Sequence, residues 1–250
     1  TRMGATYATG ADGKAIKSEG PSGGEIAGDL SRSIFDSTQS SINATLKAVG
    51  STAVITGFTA GLESSENGKG FAFAGGMVNG VGVGEYKGRN GGQFSMSDMT
   101  PQQAMEAYVS QMNQVTLEAL QAATDVPALI SNELKGIDIG KLTAAEVGEL
   151  TKTVQTVIAS VNVFNDSLKT LPFESLWDLS FKAAAGLVDA AGGFEKLNES
   201  LSGFYENFYT DAEQTANLTR VLGTGFKALG LSMPTDNLRE WYRAQVESAM

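Results

Sequence analysis

The segment that decides the fold runs from Val147 to Leu168 and reads VGELTKTVQTVIASVNVFNDSL. Its apolar residues alternate at spacings of three and four, which is typical of a helix with one narrow apolar seam. Thr143 and Glu146 form a capping-box pattern just before it, so we expect the helix to begin there. The seam predicts either a self-associating coiled coil or an intrachain helix contact, and it comprises Val147, Leu150, Val154, Val157, Val161, Phe164 and Leu168.

Upstream of this helix, glycine is concentrated in the first hundred residues. Short apolar or aromatic runs there are separated by Asn-Gly pairs, which favour two-residue hairpin turns. This pattern predicts a small antiparallel meander, with strands at 53–62, 70–77, 81–86 and 93–96 and turns at Asn67-Gly68, Asn79-Gly80 and Asn90-Gly91.

Two further helices flank the meander. A capping box of Ser22 and Glu25 predicts one that ends at Gly50, and Pro101 predicts the start of the other. Residues 1–23 contain many glycines and few apolar residues, so we expect an extended lead-in without a fold.

Beyond Pro172, helices are predicted at 174–191, at 194–201 and from Phe204 onward, with a break suggested by the Thr210 to Glu213 capping box. The first should present an apolar face and end at Gly192 and Gly193. The residues of that face are Leu176, Leu179, Ala183 and Leu187, with Trp177 and Phe181 alongside. A last amphipathic helix carries Leu238, Trp241, Tyr242 and Val246.

These elements predict a mainly α protein with a small antiparallel β meander, an α+β class in which the coiled-coil seam self-associates. The expected segments are a lead-in (1–23), a helix with the hairpin region (24–99), long amphipathic helices (100–171) and a C-terminal helical region (172–250).

Composition restricts the function. The chain has no Cys and no His, which argues against Ser-His-Asp and Cys-His hydrolases and against the commonest zinc ligands. Its net charge of −10 argues against sequence-independent DNA binding, and no apolar run approaches the roughly 20 residues that cross a bilayer. We therefore expect no cofactor, no metal, no sequence-specific nucleic-acid binding and no membrane span.

The C-terminal half carries a family resemblance. Leu187 to Gln214 reads LVDAAGGFEKLNESLSGFYENFYTDAEQ, and the final segment reads LGLSMPTDNLREWYRAQVESAM. With the looser TDVPALISNEL at 124–134, these stretches resemble the C-terminal region of tail tape measure proteins of long-tailed bacteriophages. The features that carry the resemblance are the Gly192-Gly193 pair and the aromatic run Phe204, Tyr205, Phe208 and Tyr209.

The resemblance implies a structural virion protein, not an enzyme. Family members lie in the lumen of the tail tube, set the tail length, bind hub and distal tail proteins at the tip, and leave with the DNA during genome ejection. It implies localisation to the virion tail after assembly in the host cytoplasm, and a few parallel copies, for which we expect a homotrimer. The chain begins at Thr1 without an initiator Met, which suggests either a trimmed chain or a segment of a longer polypeptide. The longer polypeptide agrees with the resemblance.

Within this resemblance, the aromatic residues are the expected partner-docking site, because Tyr and Trp supply large contact areas that tolerate water at one end. The set is Phe204, Tyr205, Phe208, Tyr209, Trp241 and Tyr242. The other interpretation of these residues is that they fill a core.

Two other functional classes stay open. One is a bacterial or phage structural or adhesive protein with a coiled-coil stalk and no role in tail length. The other is a cell-wall-cleaving enzyme domain, for which Glu106, Glu118 and Glu133 are the candidate carboxylates. Their positions on amphipathic helices instead favour solvated faces.

Overall fold

The structure is a computed structural model that describes residues 6–9, 15–19, 24–64, 70–84, 93–95 and 101–230. Side chains are described for residues 35–60, 74–84, 102, 103 and 106–230. The described part is mostly helical with one antiparallel sheet, so the predicted mainly α class with antiparallel β structure is confirmed. It divides into unit 1, within Thr1–Asn162 and Leu179–Asp189, and unit 2, within Val163–Asp178 and Ala190–Met250.

The sheet belongs to unit 1 and contains six strands among the described residues. Their order is β2-β1-β3-β4-β5, and β6 pairs with the half of β4 that β5 leaves open. All five strand pairings are antiparallel. The strands are β1 (Thr6–Thr9), β2 (Ala15–Glu19), β3 (Thr56–Ser64), β4 (Gly70–Val78), β5 (Val81–Gly84) and β6 (Gln93–Ser95).

The turn between β4 and β5 follows from its two residues. Val78 pairs with Val81, so the turn consists of Asn79 and Gly80 alone. Both have positive φ, 51° and 78°, which is the backbone geometry of a type I′ turn. The predicted hairpin at this Asn-Gly pair is confirmed, whereas the pairs at 67–68 and 90–91 lie outside the described residues.

Seven α-helices occur in the described ranges. The second and fourth begin close to the residues that the capping patterns indicated, and the first ends before Gly50, whose φ is +77°. The helices are α1 (Gly24–Ala48), α2 (Pro101–Ala122), α3 (Ala128–Leu134), α4 (Ala144–Leu168), α5 (Phe181–Ala191), α6 (Phe194–Phe208) and α7 (Asp211–Ala228).

The core of unit 1 lies between the sheet and helices α1 and α2. Alternate residues of β3 and β4, such as Phe58, Ala60 and Ala74, are fully buried, because successive side chains of a strand point to opposite faces. Phe58 packs against Phe35 of α1 with ring centroids 5.2 Å apart. Burial of one such side chain contributes about 1.5–3 kcal/mol, so this contact fixes α1 on the sheet.

Asp125 fastens two loops of unit 1 together. Its carboxylate accepts hydrogen bonds from the Ser51 hydroxyl and from the backbone N–H and hydroxyl of Thr52, the latter two at 2.7 and 2.9 Å. The Ser51 hydroxyl, and then the Thr52 backbone N–H, lower the Asp125 pKa to about 2, because they stabilise the ionised form. The carboxylate therefore ties the loop after α1 to the loop after α2.

The beginning of α4 confirms the predicted capping box. The Thr143 N–H donates to Glu146 Oε2 at 2.8 Å, and the Glu146 N–H donates to Thr143 Oγ1 at 3.3 Å. The backbone bond from Thr143 is also the main cause of a lowered pKa for the Glu146 carboxyl. Two of the four unpaired N–H groups at this helix start thus find acceptors.

The N-terminal segment differs from its expected form. The sequence predicted a lead-in without a fold over residues 1–23, but the structure has β1 and β2 there, paired with each other, and β1 paired with β3. The physical reason is the open edge of β3, whose backbone N–H and C=O groups offer partners even to a segment with few apolar side chains.

The helix after Pro172 also differs. It begins at Phe181 instead of Glu174, with the Ala183 N–H donating to Ser180 Oγ at 3.2 Å. Its buried residues are Ala184, Ala185 and Val188, so the face predicted from Leu176, Leu179, Ala183 and Leu187 is not the buried one. Leu176 and Leu179 precede the observed helix start, so they cannot share a helix face with Ala183 and Leu187.

The units also divide the chain differently from the expected segments. The sheet, α1, α2 and α4 up to Asn162 share unit 1, although the sequence placed a boundary near residue 100. The apolar faces of α2 and α4 need the sheet and α1 for burial, and this long-range packing is not visible in local composition.

Candidate docking surface

The predicted docking residues that the structure describes form one aromatic cluster in unit 2. The cluster consists of Phe204, Tyr205, Phe208 and Tyr209, joined by Phe173 from the loop after α4. Phe204 and Phe208, one helical turn apart on α6, are stacked with ring centroids 4.8 Å apart. Phe173 lies 5.8 Å from Phe204 and 5.9 Å from Tyr209, in tilted and edge-to-face arrangements. These are the spacings at which aromatic rings attract one another.

The helix boundaries around the cluster follow from the sequence. Gly193, with φ of 120°, permits the turn into α6, and Gly192 has φ of 79°, so the predicted break at this glycine pair is confirmed. At the other end, Thr210 and Glu213 form the capping box that starts α7. The break that the Thr210 pattern suggested is thereby confirmed, and α6 is one continuous helix instead of a short helix followed by a new one.

The cluster is only partly covered. Phe204 is 48% exposed and Phe208 is 73% exposed, whereas Tyr205 and Tyr209 are half-buried. The Tyr205 hydroxyl donates to the Gln214 carbonyl at 3.3 Å, and Gln214 Nε2 donates to the Tyr209 carbonyl at 3.0 Å. The tyrosines therefore hold α6 to α7, while the phenylalanines offer an apolar surface that water contacts.

A polar network fixes the loop that contributes Phe173. Arg220 Nη2 of α7 donates to the carbonyls of Lys169 and Leu171 at 3.1 and 3.3 Å, and its guanidinium lies 4.4 Å from the Trp177 ring centroid. Asn217 Nδ2, in a buried side chain, donates to the Thr170 carbonyl at 3.0 Å. These carbonyls follow the end of α4 and have no helical donors, so the two side chains satisfy them. Arg220 also adds positive charge at the C-terminus of this helix.

The sequence pattern does not reveal this network. A basic residue and an amide three positions apart on α7 are a common surface pattern, and their partners lie about 50 residues earlier in the chain. Trp177 belongs to the same network, because its indole Nε1 donates to the Leu171 carbonyl at 2.8 Å.

Trp241 and Tyr242, the other two predicted docking residues, lie outside the described residues.

Five of the seven seam residues of α4 are buried within the chain, and the other two, Leu150 and Val157, are partly buried. Val147 and Val154 belong to the core of unit 1, and Leu150 and Val157 pack against it. Val161 is buried in unit 1, and in unit 2 Phe164 and Leu168 are buried, with Phe164 against Phe194 at 6.1 Å. This burial favours the intrachain alternative over a coiled-coil seam, and a homotrimer stays a prediction that needs another surface.

The three candidate carboxylates have different surroundings. Glu106 and Glu133 are exposed, in agreement with solvated helix faces. Glu118 does not fit that expectation, because it is 1% exposed and its Oε2 accepts the backbone N–H of Gly84 at 2.6 Å. Its described contact is a structural one at the end of β5, where Gly84 has φ of +61° and a Cβ would collide with the Ala74 carbonyl. The described residues contain no group of three or more acidic side chains that could hold a metal ion.

A groove of about 410 Å³ lies in unit 1 between α1, α2 and α4. Its walls include Leu117, Leu120, Val154 and Ile158, and Ala44, Thr45, Thr151 and Gln155 lie around them. None of the lining side chains is charged, so the groove offers no carboxylate for acid–base chemistry.

None of the helices in the described ranges is long and apolar enough to pass through a membrane. Comparison with protein-family models, with curated proteins and with solved structures finds no match for this chain.

Proposed function

We propose that this chain is a structural virion protein, the C-terminal part of a phage tail tape measure protein that anchors at the tail tip. The observation that carries the proposal is the exposed Phe204 and Phe208 stack. It lies inside the 187–214 segment that carries the family resemblance, and it has the character of a contact site: a rigid aromatic surface on a capped helix.

The surroundings of the stack also support docking. Phe173 is held under Phe204 by a loop that Arg220 and Asn217 fix through its carbonyl groups. A surface whose side chains are already ordered loses little conformational entropy on binding, which favours affinity. In this proposal, a hub or distal tail protein covers the two phenylalanines, and the full-length protein sets the tail length and leaves during ejection.

The proposal does not use an active site. Glu118 is engaged with the backbone of Gly84, and Glu106 and Glu133 are exposed on separate helices. The adhesive alternative requires a coiled-coil stalk, and such a stalk requires an exposed seam on α4. The burial of the seam residues within the chain argues against this alternative.

The test is incorporation into tails. In the phage that encodes the chain, Phe204→Ala with Phe208→Ala should strongly reduce the amount of this protein in purified tails, because truncating a central aromatic anchor costs about 2 kcal/mol or more. Val163→Ala is the matched control, since Val163 is 70% exposed in unit 2 but is not part of the cluster. Normal incorporation of the double variant would refute the docking role of the stack. Truncation after Gly230 is a second test, and we expect it to abolish tip incorporation.

A further inference from the structure

The groove of unit 1 is built from matching faces of three helices. Helices α1, α2 and α4 each line it with residues spaced by three and four, which is one face of each helix over about two turns. The α1 side carries the small, exposed side chains of Ala44 and Ala48. Leu117, Leu120 and Val154 line the other sides and are held in the core of unit 1. The groove therefore combines room beside small residues with an apolar surface of fixed shape.

One polar group of the groove lacks a partner. Thr151 lines the groove from α4, and its hydroxyl oxygen is buried without a hydrogen bond to any residue in the described ranges. On the same helix, Thr153 and Thr156 donate to the carbonyls of Glu149 and Lys152 at 3.0 and 2.8 Å, as helical threonines commonly do. A buried hydroxyl without a partner is unfavourable, and native structures usually supply one. The groove offers the space for that partner beside Thr151.

The polar side chains near Thr151 are neutral. Asn113 of α2 and Gln155 of α4 line the same groove, and each side-chain amide has two donor hydrogens and one acceptor oxygen. A phosphate or carboxylate would lose hydration there without meeting a cation, because no lining side chain is charged. The matching ligand is therefore neutral and has both N–H and C=O groups, which is the chemistry of a peptide.

We propose that the groove is a binding site for an uncharged internal segment of a partner's peptide chain. Its amide groups bind the side chains of Asn113, Thr151 and Gln155, and one of its apolar side chains contacts Leu117 and Val154. The segment is internal because the groove has no charged side chain to pair with a chain terminus. The volume of about 410 Å³ lies in the usual range of small-ligand pockets, so the bound segment is short. The site lies in unit 1 and does not rest on the tail-tip role of the aromatic cluster in unit 2.

NMR titration of the full chain with N-acetyl-leucinamide tests the site. This probe has an apolar side chain and two neutral blocked ends, as an internal segment has. The amide signals of the groove residues should shift and saturate with a dissociation constant on the order of 1 mM, because the probe is small. N-acetyl-leucine has the same side chain but a carboxylate at one end, and it should bind at least about fivefold more weakly.

Variants connect the binding to the groove. Thr151→Val removes the hydroxyl and keeps the side-chain shape, so it should weaken binding by about three- to tenfold. Its urea midpoint should not fall, because the hydroxyl has no partner among the described residues. Thr153→Val is the matched control with unchanged affinity, since Thr153 is exposed on the same helix and its hydroxyl donates to the Glu149 carbonyl. Ala44→Phe places a ring at the groove wall and should abolish measurable binding.

Four results would overturn the proposal. The absence of a saturable shift at the groove residues would remove the site, and equal affinity for the carboxylate probe would remove the neutral ligand class. Unchanged affinity of Thr151→Val would show that the hydroxyl binds water only. Groove signals that change when the protein alone is diluted would assign the groove to a second copy of the chain.

Discussion

Replacing Arg220 by Ala should destabilise unit 2 and loosen the loop that presents Phe173. The guanidinium makes hydrogen bonds of 3.1 and 3.3 Å to the Lys169 and Leu171 carbonyls and lies over the Trp177 ring at 4.4 Å. Without it, the Lys169 carbonyl beyond the end of α4 loses its side-chain donor, although the Trp177 indole still donates to Leu171. The loss therefore acts on the segment that joins α4 to the aromatic cluster.

The magnitude follows from these contacts. A hydrogen bond from a charged donor contributes about 1.5–3 kcal/mol, and a cation–π contact at a partly exposed site contributes about 0.5–1 kcal/mol. Because Arg220 is half-buried and its two carbonyl bonds share one nitrogen, we expect a total loss of about 2–3 kcal/mol for Arg220→Ala. Arg220→Lys keeps the charge but not the planar fork, and we expect it to lose about half as much.

The assay is urea unfolding followed by the fluorescence of Trp177, in a Trp241→Phe background so that one indole reports. Lys227→Ala is the control, since Lys227 lies on the exposed side of the last turn of α7. A loss of less than about 0.5 kcal/mol for Arg220→Ala, the usual range of surface substitutions, would refute the reasoning. An equal loss for Lys227→Ala would refute it too, because the effect would then not depend on the carbonyl contacts.

Three further predictions concern unit 1. Glu118→Leu should lower the stability of unit 1 by about 1–3 kcal/mol in urea titrations, because the buried Gly84 N–H loses its acceptor. Glu118→Gln keeps an acceptor oxygen, so its loss of stability should be smaller. Gly80→Val should lower the stability by about 1–2 kcal/mol in thermal unfolding. Backbone strain alone is the cause, because no atom lies within 4 Å of a Cβ built at this position. Gly80→Asn should cost less, and equal costs for the two variants would contradict a type I′ turn. The Asp125 pKa is about 2 in the folded chain against 3.8 unperturbed, so its stabilisation is present above about pH 4 and is lost as pH falls through about 2. The stability difference between the wild type and Asp125→Asn should therefore shrink over that range, and a constant difference would contradict the role of the ionised carboxylate in binding Ser51.

The elements with local rules were predictable from the sequence. The Asn79-Gly80 turn, the capping box of Thr143 and the break at Gly192 depend on residues that are neighbours in the chain, and the structure has each of them. The positions of β4 and β5 were also predictable, because the two-residue turn between them fixes their register. The strands β1 and β2 were not predicted. These features require no knowledge of distant contacts.

Features that depend on distant residues were not predictable. The apolar pattern of α4 indicated a buried seam but could not show that Val147 and Val154 are buried by their own chain. Glu118 reads as a surface residue until Gly84, 34 positions earlier, gives it a buried hydrogen bond. The aromatic run identified the cluster, but the contribution of Phe173 depends on a loop held by α7.

The most direct test of the tail role is mass spectrometry of purified phage particles, with the tails separated from the capsids. We expect peptides of this chain in the tail fraction, as part of a longer polypeptide that is recovered with the tip proteins. Recovery as a free chain of this size would contradict a role in setting tail length, and absence from the particles would contradict the virion assignment itself.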